Sequence, residues 1–428
     1  MARTLDVYLN QNLAGYLVQD DEGRLVFTYA TPYLERGLSL PLSYSLPLRK
    51  EPFSSKECRG FFSGILPEGD KREMVARNLG ITARNDFSML DKIGGECAGA
   101  ISFMRSGEPL PEHDYKYRTL SDIELETILN DLPSHPLMAG EDGIRLSLAG
   151  AQDKLPVHVA GNHVSLPLGN AQSTHILKPQ NTHFKDLVFN EFVCMQLAES
   201  IGLPTAKTQT RRVGDIDYLL VERYDREEAL LLPRFRKNLF MIKSRSNRLH
   251  QEDFCQAMGI VSENKYQCDG GPSLKQCFSL LRNVSTSPAV DLIKLLDTVI
   301  FNYIVGNNDA HGKNFSIIYN EGSLLTGTEA RLAPLYDILC TTYYPQLSKK
   351  MAMKIGGESV AEKIFPLHFE KLAEEVGLAK PLVKKRVYEL AGIVSEGLQK
   401  ITINHPTAEA VIHIIQEHTN LVISRFKA

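Results

Sequence analysis

Tryptophan is absent from the 428 residues, and the seven cysteines never form a C-x-x-C pair. The cysteines are dispersed along the chain, at Cys58, Cys97, Cys194, Cys255, Cys268, Cys277 and Cys340. Zinc ribbons need paired cysteines at short spacing, so this class of metal site is not expected. An odd, dispersed set of cysteines instead favours reduced thiols in a cytoplasmic protein. The missing tryptophan excludes nothing.

Long apolar segments are also missing. The N-terminal sequence M-A-R-T-L-D-V has no apolar signal core, and no run of about 18 residues is free of charged or strongly polar side chains. We therefore expect neither a signal peptide nor a membrane span. The net charge is −3, so the composition does not predict nucleic-acid binding by the chain as a whole. A length of 428 residues fits two or three domains.

The first region, residues 1–105, predicts a small α+β module. Alternating apolar residues at 5–9 and 14–29 indicate strands, and helical patterns follow at 56–80 and from Asn85 onward. The spaced glycines of residues 93–100 lack the preceding strand and the following acid of a dinucleotide-binding fingerprint. A tight turn is therefore the better interpretation of these glycines.

The second region, residues 106–224, begins with a linker and predicts strands around a loop of small residues. A short helix should begin after Ser121, with Glu124 at the capping-box position. The sequence S-L-A-G-A-Q-D-K follows at residues 147–154. Its small residues let backbone N–H groups approach an anion. By composition alone, however, an ordinary glycine-containing hairpin turn is the more common outcome.

The strand T-H-I-L-K ends in Lys178, and a protein kinase needs a strand lysine to hold the α- and β-phosphates of ATP. The amphipathic helix predicted for residues 187–201 carries Glu191, which could pair with Lys178. A solvent-facing lysine and a surface acid are the alternatives. Further along, a buried strand runs into a polar segment at Glu222 and Tyr224, as the hinge of a two-lobed kinase does.

The third region, residues 225–428, is mostly helical in pattern. It opens with a basic insert at 226–248, which could contact nucleic acid or an acidic partner, although a solvated loop with a hydrophobic anchor is the more common reading. The helices are predicted at 273–284, 288–305, 368–376, 380–403 and 407–425.

One stretch of this region carries the strongest chemical signal. An apolar helix leads into N-N-D-A-H-G-K-N-F-S, where Asp309 and Asn314 have the D-x-x-x-x-N spacing of a kinase catalytic loop. Asp337 follows at the end of a short apolar strand, where a second metal ligand should stand. Mg²⁺ prefers oxygen ligands of this kind. Taken alone the spacing is a weak pattern, because Asp and Asn usually serve turns.

Taken together, these segments resemble the HipA family of serine/threonine kinases, which are the toxins of bacterial type II toxin–antitoxin systems. The resemblance covers about residues 1–425 and rests on the motifs at 147–154, 174–178, 221–225, 251–256, 269–272, 308–316 and 335–337. It implies an α+β, two-lobed protein-kinase-like fold. An N-terminal α+β subdomain (1–105) would precede the kinase N-lobe (106–224) and an all-helical C-terminal lobe (225–428).

The resemblance also implies roles for individual residues. Asp309 would be the catalytic base, and Asn314 and Asp337 would hold Mg²⁺. In the family, the serine that matches Ser147 is autophosphorylated, which ejects its loop and inactivates the kinase. The residues implied in binding ATP are Ala149, Gly150, Ala151 and Gln152 over the phosphates, Lys178 at the phosphates, Glu222 and Tyr224 at adenine, and His311.

Partners are implied in the same way. They are a HipB-like helix-turn-helix antitoxin dimer, operator DNA reached mainly through it, and a protein substrate such as glutamyl-tRNA synthetase, whose phosphorylation causes growth arrest and persistence. A short segment between Lys178 and Glu191 and the long basic insert depart from the family pattern and leave the target open. Two other hypotheses are an ATP-binding co-repressor without kinase activity and a metal hydrolase using Asp309, His311 and Asp337. In the kinase hypothesis, packing or loop support is the alternative role for His311.

Overall fold

The computed structural model describes residues 2–37, 39–108, 116–181, 184, 186–227, 247–320 and 328–427. An antiparallel sheet in the order β3-β2-β1-β4 forms the first part of the chain, together with four helices. The elements are β1 (Arg3–Leu9), β2 (Asn12–Gln19), β3 (Leu25–Tyr29), α1 (Thr31–Leu34), α2 (Ser55–Gly64), α3 (Gly69–Asn78), α4 (Asp86–Ile93) and β4 (Ile101–Arg105). The strands predicted at 5–9 and 14–29 are therefore present.

Local signals explain where these helices begin. Ser54 and Glu57 form a capping box at α2, and the Asn85 side chain accepts a hydrogen bond from the Ser88 amide at the start of α4. The helical pattern at 56–80 is split into α2 and α3. Pro67 lies between the two helices and cannot donate a backbone hydrogen bond, and Gly69 has a φ of +52°.

The N-lobe is a six-stranded antiparallel sheet in the order β5-β7-β6-β8-β10-β9, with two helices. Its elements are β5 (Lys116–Thr119), α5 (Asp122–Asp131), β6 (Leu155–Ala160), β7 (His163–Leu168), β8 (His175–Pro179), α6 (Leu187–Ser200), β9 (Thr208–Val213) and β10 (Ile216–Glu222). The predicted capping box of Ser121 and Glu124 is confirmed at α5. In the register of the sheet, Lys178 on β8 lies opposite Leu219 on β10.

The C-terminal lobe is built mainly from helices, as predicted. These are α7 (Phe254–Ala257), α8 (Leu274–Val284), α9 (Pro288–Val305), α10 (Pro366–Val376), α11 (Lys380–Leu398) and α12 (Pro406–Phe426). Helix α9 is almost entirely buried over its second half, which accounts for the predominance of apolar residues there. The prediction for 380–403 was too long, because α11 ends at Leu398 and a new helix starts at Pro406.

The same lobe also holds short strands that the all-helical prediction omitted. They are β11 (Arg226–Glu227), β12 (Asn247–Arg248), β13 (His250–Asp253), β14 (Ser316–Asn320), β15 (Glu329–Leu332), β16 (Lys350–Ile355) and β17 (Glu358–Val360). Strands β13, β14 and β15 form one antiparallel sheet, and β16 pairs with β17. The α+β, two-lobed kinase-like class is unaffected, because helices still dominate the lobe.

The hydrophobic core is shared between the first sheet, α6 and the C-terminal lobe, whereas the outer N-lobe sheet has a core of its own. Helix α2 packs directly on the C-terminal lobe, and a Cβ on Gly60 would collide with the backbone of Gly259. The first subdomain therefore lies firmly against the lobe that carries Asp309. Within the described ranges, no helix is both long enough and apolar enough to cross a membrane.

Candidate active site

The segment that contains Asp309 begins where α9 ends. Gly306 caps the helix with a φ of +72°, a conformation that suits glycine, and the chain then turns sharply. The Asn307 side chain accepts a hydrogen bond from the Asp309 amide at 3.2 Å, and the Thr341 hydroxyl accepts one from the Asn308 amide at 2.8 Å. We call residues 307–315 the catalytic loop. Its polar side chains thus serve local hydrogen bonding.

Asp309 lies at a solvent-accessible position in this loop. The Tyr266 hydroxyl donates a hydrogen bond to its Oδ1 at 2.8 Å. Surrounding protein nevertheless excludes enough water that burial raises the pKa of the Asp309 carboxyl, while the bond from Tyr266 opposes that rise. Nothing in the local sequence around Asp309 pointed to Tyr266, which comes from a segment 43 residues earlier.

Asn314 and Asp337 are brought together, as the sequence predicted. Asn314 Nδ2 lies 3.4 Å from Asp337 Oδ2. Asp337 is not at the end of a strand: β15 ends at Leu332, and Asp337 itself has a φ of +58°, a conformation rare for residues other than glycine. The residue in this conformation is the one whose carboxylate contacts both Lys178 and Asn314.

The Asn314 side chain carries an oxygen suited to a cation. Its Oδ1 is buried and has no hydrogen-bond partner among the described residues. A buried polar atom without a partner is costly, so such an atom in a cleft marks a place for a ligand. An amide oxygen beside the carboxylate of Asp337 is an oxygen donor set of the kind Mg²⁺ prefers. The residues present therefore fit a magnesium site.

Lys178 connects the two lobes at this point. Its Nζ lies 2.6 Å from Glu191 Oε1 on α6 and 2.7 Å from Asp337 Oδ1 in the C-terminal lobe. The pairing of Lys178 with Glu191 that the sequence suggested is thus present, and the surface-residue alternatives are wrong. An ion pair between a strand lysine and a helix glutamate is a defining feature of protein-kinase active sites.

The charges of this cluster support one another. Burial disfavours the ammonium of Lys178, but Asp337 and Glu191 outweigh that effect and raise its pKa. Burial likewise opposes ionisation of Asp337, yet Lys178 and Lys154 hold its pKa well below the usual range. The cluster therefore presents a permanent cation beside a permanent anion, which is what the binding of a metal–phosphate group requires.

The loop at residues 147–152 covers one side of the same cleft, which has a volume of about 700 Å³. Gly150 has a φ of +104°, and the Lys154 Nζ donates to the Ala149 carbonyl at 2.6 Å, so the loop folds back on itself. Ala149, Gly150, Ala151 and Gln152 all line the cleft. We call this segment the phosphate loop.

Ser147 lies at the base of the phosphate loop and points away from solvent. Its side chain is fully buried, and its hydroxyl donates to the Ile65 carbonyl at 3.0 Å. The Ser147 amide donates to the Glu96 carbonyl at 2.9 Å. In this conformation the hydroxyl is out of reach of another molecule.

Glu222 and Tyr224 line the far end of the cleft. The Glu222 amide already donates to the Lys207 carbonyl at 2.8 Å, so that group is engaged within the sheet. The Tyr224 hydroxyl donates to Gln251, and its ring lies 5.8 Å from that of Tyr336. Tyr224 therefore supplies an aromatic surface at this end of the cleft.

His311 is a buried residue of the catalytic loop, and its ring lies edge-on to that of Tyr266 with 5.2 Å between the ring centroids. Burial and the nearby Lys265 lower the pKa of His311 to about 3, so the imidazole is neutral at physiological pH. The part of the chain with described coordinates has no group of three His, Cys, Asp or Glu side chains placed to hold a metal ion. The kinase hypothesis needs a different set, one amide and one carboxylate, and that set is present.

Several residues around the cleft were not given a role from sequence. Lys313 is buried and contacts Asp253 at 2.8 Å and the Gly64 carbonyl at 3.0 Å, and Lys265 pairs with Glu68 at 2.9 Å. Asp253 lies within one of the motifs of the family resemblance, but Glu68 had no such signal. The basic insert predicted at 226–248 lies outside the described residues over 228–246.

Comparisons with known proteins show which family the sequence and the fold match. The family model described as the HipA N-terminal domain matches residues 5–104, and the HipA-like C-terminal domain matches residues 146–398. The protein named "Putative kinase Y4mE" from Sinorhizobium fredii is 41% identical over 425 residues, covering 98% of this chain and 94% of that protein.

Two further matches come from Shewanella oneidensis. Its serine/threonine-protein kinase toxin HipA is 28% identical over 416 residues, covering 94% of this chain and 90% of the toxin. A solved structure of a HipA, HipB and operator DNA complex from this organism superposes with a TM-score of 0.80 and 26% identity, over 99% of this chain and 97% of that one.

Proposed function

This chain belongs to the HipA family, and on that premise we propose that it is a Mg·ATP-dependent serine/threonine protein kinase of a toxin–antitoxin pair. The observation that carries the proposal is the position of Lys178 between Glu191 and Asp337, at 2.6 and 2.7 Å, with Asn314 beside Asp337. These are the charge partners that a kinase needs at its phosphate site.

In this proposal the phosphates of ATP lie between Lys178 and the phosphate loop. Lys178 neutralises phosphate charge, and the backbone of Ala149, Gly150 and Ala151, with Gln152, covers the phosphates from above. Glu222 and Tyr224 line the end of the cleft that would hold adenine. The neutral His311 supports the catalytic loop on the side that faces the ATP cleft. The cleft volume of about 700 Å³ is within the usual range for a ligand of this size.

Asp309 acts as the base. Its carboxylate accepts the proton of a serine or threonine hydroxyl as the hydroxyl oxygen attacks the γ-phosphorus and ADP leaves. Asn314 and Asp337 would hold Mg²⁺, which supplies charge neutralisation for the phosphates when it is bound. The catalysis required of the protein is therefore mainly positioning and electrostatic stabilisation.

Ser147 is the proposed site of autophosphorylation. Because its hydroxyl is buried against Ile65, the phosphate loop must leave its present position before Ser147 can be modified. A phosphoryl group adds about two negative charges near the place where ATP phosphates bind, and would keep the loop from returning. Modification of Ser147 would therefore switch the kinase off.

The proposed substrate is a translation protein, such as an aminoacyl-tRNA synthetase, whose phosphorylation stops growth. The proposed neutralising partner is a HipB-like antitoxin dimer that carries the kinase to operator DNA. The antitoxin and the DNA are supported by the solved Shewanella oneidensis complex, which contains HipA, HipB and operator DNA.

The test is phosphoproteomics after brief induction, comparing the wild type with Asp309→Gln. We expect new phosphoserine or phosphothreonine on Ser147 and on at least one translation protein in the wild type alone. Equal phosphorylation patterns in the two strains, with both proteins folded, would overturn the proposal.

The second candidate is an ATP-binding co-repressor that acts only through the antitoxin and the operator. The observation that favours this candidate is the operator DNA in the Shewanella oneidensis complex. A growth assay separates the two: a co-repressor would keep any toxicity in Asp309→Asn, whereas a kinase would lose it.

A further inference from the structure

Glu68 occupies an unusual position in the first subdomain. It is the N-cap residue of α3, yet its side chain makes no capping hydrogen bond to that helix. The side chain is largely buried and lines the cleft that holds Asp309. Burial of a carboxylate is costly unless it is paired, so a carboxylate that does not cap its own helix is expected to have partners elsewhere.

Those contacts lie in the C-terminal lobe. Glu68 Oε2 is 2.9 Å from Lys265 Nζ, and Glu68 Oε1 is 3.5 Å from Lys313 Nζ. Lys265 immediately precedes Tyr266, whose hydroxyl bonds to Asp309, and Lys313 immediately precedes Asn314. One carboxylate therefore holds the neighbours of both the base and the metal-binding amide.

The segment around Glu68 also holds the phosphate loop. We call residues 65–71 the latch segment. The Ile65 carbonyl accepts from Ser147, the Glu68 amide donates to the Gly150 carbonyl at 3.2 Å, and Lys71 pairs at 2.5 Å with an aspartate, Asp153. The latch segment thus contacts the phosphate loop through its backbone, and Lys71 holds Asp153, the residue that immediately follows this loop. It contacts the catalytic loop through the side chain of Glu68.

The charge of Glu68 is essential to this arrangement. Burial opposes ionisation, but Lys313 and Lys265 lower the pKa of the Glu68 carboxyl below its ordinary value. The carboxylate therefore stays charged at physiological pH. Replacing it with a neutral amide would remove the counter-ion of Lys265 and the more distant of the two carboxylates beside Lys313. Lys313 would keep Asp253 at 2.8 Å, so the segment of Lys265 and Tyr266 should loosen more than Lys313 does.

We propose that Glu68 is a positioning residue, which fixes the catalytic loop relative to a phosphate loop that the same latch segment holds in place. This inference rests on the proposed kinase function. It assigns the two contacts of the latch segment to different steps. The Glu68 side chain acts on the transfer step, through the orientation of Asp309 and Asn314, and Lys71 acts on nucleotide binding, through the phosphate loop.

The two assignments predict changes in different kinetic constants: kcat for the Glu68 variant and the KM for ATP for the Lys71 variant. Glu68→Gln keeps the backbone bond to Gly150, so kcat for phosphorylation should fall by about tenfold or more while the KM for ATP changes less than about threefold. Lys71→Met keeps the side-chain pairs of Glu68, so the KM for ATP should rise by about tenfold while kcat changes less than about threefold.

Lys265→Met provides an independent check on the Glu68 side chain. It removes one partner without touching the latch segment, so it should lower kcat in the same direction as Glu68→Gln. Because the two residues form one pair, the double variant should lose less than the product of the single losses. The matched control is Asp91→Asn, which breaks a carboxylate pair with Arg105 in the same subdomain, away from the cleft, and should leave both constants unchanged.

Amide hydrogen exchange tests the proposal without relying on activity. Glu68→Gln should speed exchange at residues 309–315, and Lys71→Met should speed it at residues 147–153. These outcomes would support the latch even if the wild type transferred no phosphate, in which case only the proposed function would fail. If the wild type is active and Glu68→Gln matches it in kcat and exchange, or if both variants change kcat and KM alike, the latch assignment is wrong.

Discussion

The ammonium of Lys178 lies 2.7 Å from the carboxylate of Asp337, although 159 residues separate them in sequence. Lys178 ends a strand of the N-lobe, and Asp337 lies in an irregular segment of the C-terminal lobe. This contact closes the cleft between the lobes at the place where a phosphate group and its metal would bind. The relative position of the lobes is therefore coupled to the charge balance of the site.

The first prediction concerns the ion pairs of Lys178. Lys178→Met leaves the buried carboxylate of Glu191 without its counter-ion and leaves Lys154 as the cation near the partly exposed Asp337, so it should lower the free energy of unfolding by about 3 kcal/mol. The double variant Lys178→Met/Glu191→Gln should recover part of that loss, because one buried charge is removed. Urea unfolding of Lys178→Met, Glu191→Gln and the double variant measures the three losses. Strictly additive losses would argue against the pair.

The second prediction concerns the unpartnered oxygen of Asn314. Asn314→Ala removes one oxygen donor, so the Mg²⁺ concentration for half-maximal phosphorylation should rise by about tenfold or more at saturating ATP. The control is Asn320→Ala, at the exposed end of β14. An unchanged Mg²⁺ requirement in Asn314→Ala would exclude this residue from the metal site.

The third prediction concerns the pH dependence of transfer. Asp309 must be ionised to accept a proton, and its pKa is raised by burial and held down in part by the hydrogen bond from Tyr266. Tyr266→Phe removes a donor that favours the ionised form, so the pKa should rise and the acid limb of the kcat–pH profile should move to higher pH. A profile that does not move, or moves to lower pH, would contradict this role.

The fourth prediction concerns the stability contributed by a buried acid on β13, Glu252. Glu252 accepts hydrogen bonds from Ser43, Tyr319 and the Tyr44 amide at the join between the first subdomain and the C-terminal lobe. Burial raises its pKa to about 7, from a model-compound value of 4.5. The folded protein therefore binds this proton more tightly than the unfolded chain does.

Stability from Glu252 is therefore fully present below about pH 4.5 and is lost as the pH rises through about 7. The total contribution is about 3 kcal/mol, from the difference between the two pKa values. Glu252→Gln should remove this slope while keeping a neutral hydrogen-bonding group. The comparison is between the unfolding free energies of the wild type and Glu252→Gln, measured in urea between about pH 5 and about pH 8. Parallel curves for the two proteins would refute the assignment.

Much of the site could be predicted because its residues belong to short local patterns. The spacing of Asp309 and Asn314 needs only one loop, and Lys178 and Glu191 need only a strand followed by a helix. The small residues within 149–152 likewise predicted a loop whose backbone N–H groups can approach an anion. The roles assigned to these residues stay predictions until phosphate transfer is measured.

The contacts missed from sequence are those made between distant segments. Glu68 meets Lys265 only because the first subdomain packs on the C-terminal lobe through close contacts such as that at Gly60. Tyr266 meets Asp309 because two separate segments of the C-terminal lobe fold together. The strands of the C-terminal lobe were missed for a related reason. Elements of two to six residues between long helices leave too little alternation to detect.

The most direct test of the central claim is transfer of γ-labelled phosphate from Mg·ATP to the purified protein, measured alongside nucleotide binding. The account predicts that wild type and Asp309→Gln both bind ATP, with label appearing on Ser147 only in the wild type. If both proteins bind ATP and neither transfers label to itself or to any protein in a bacterial extract, the kinase assignment is contradicted.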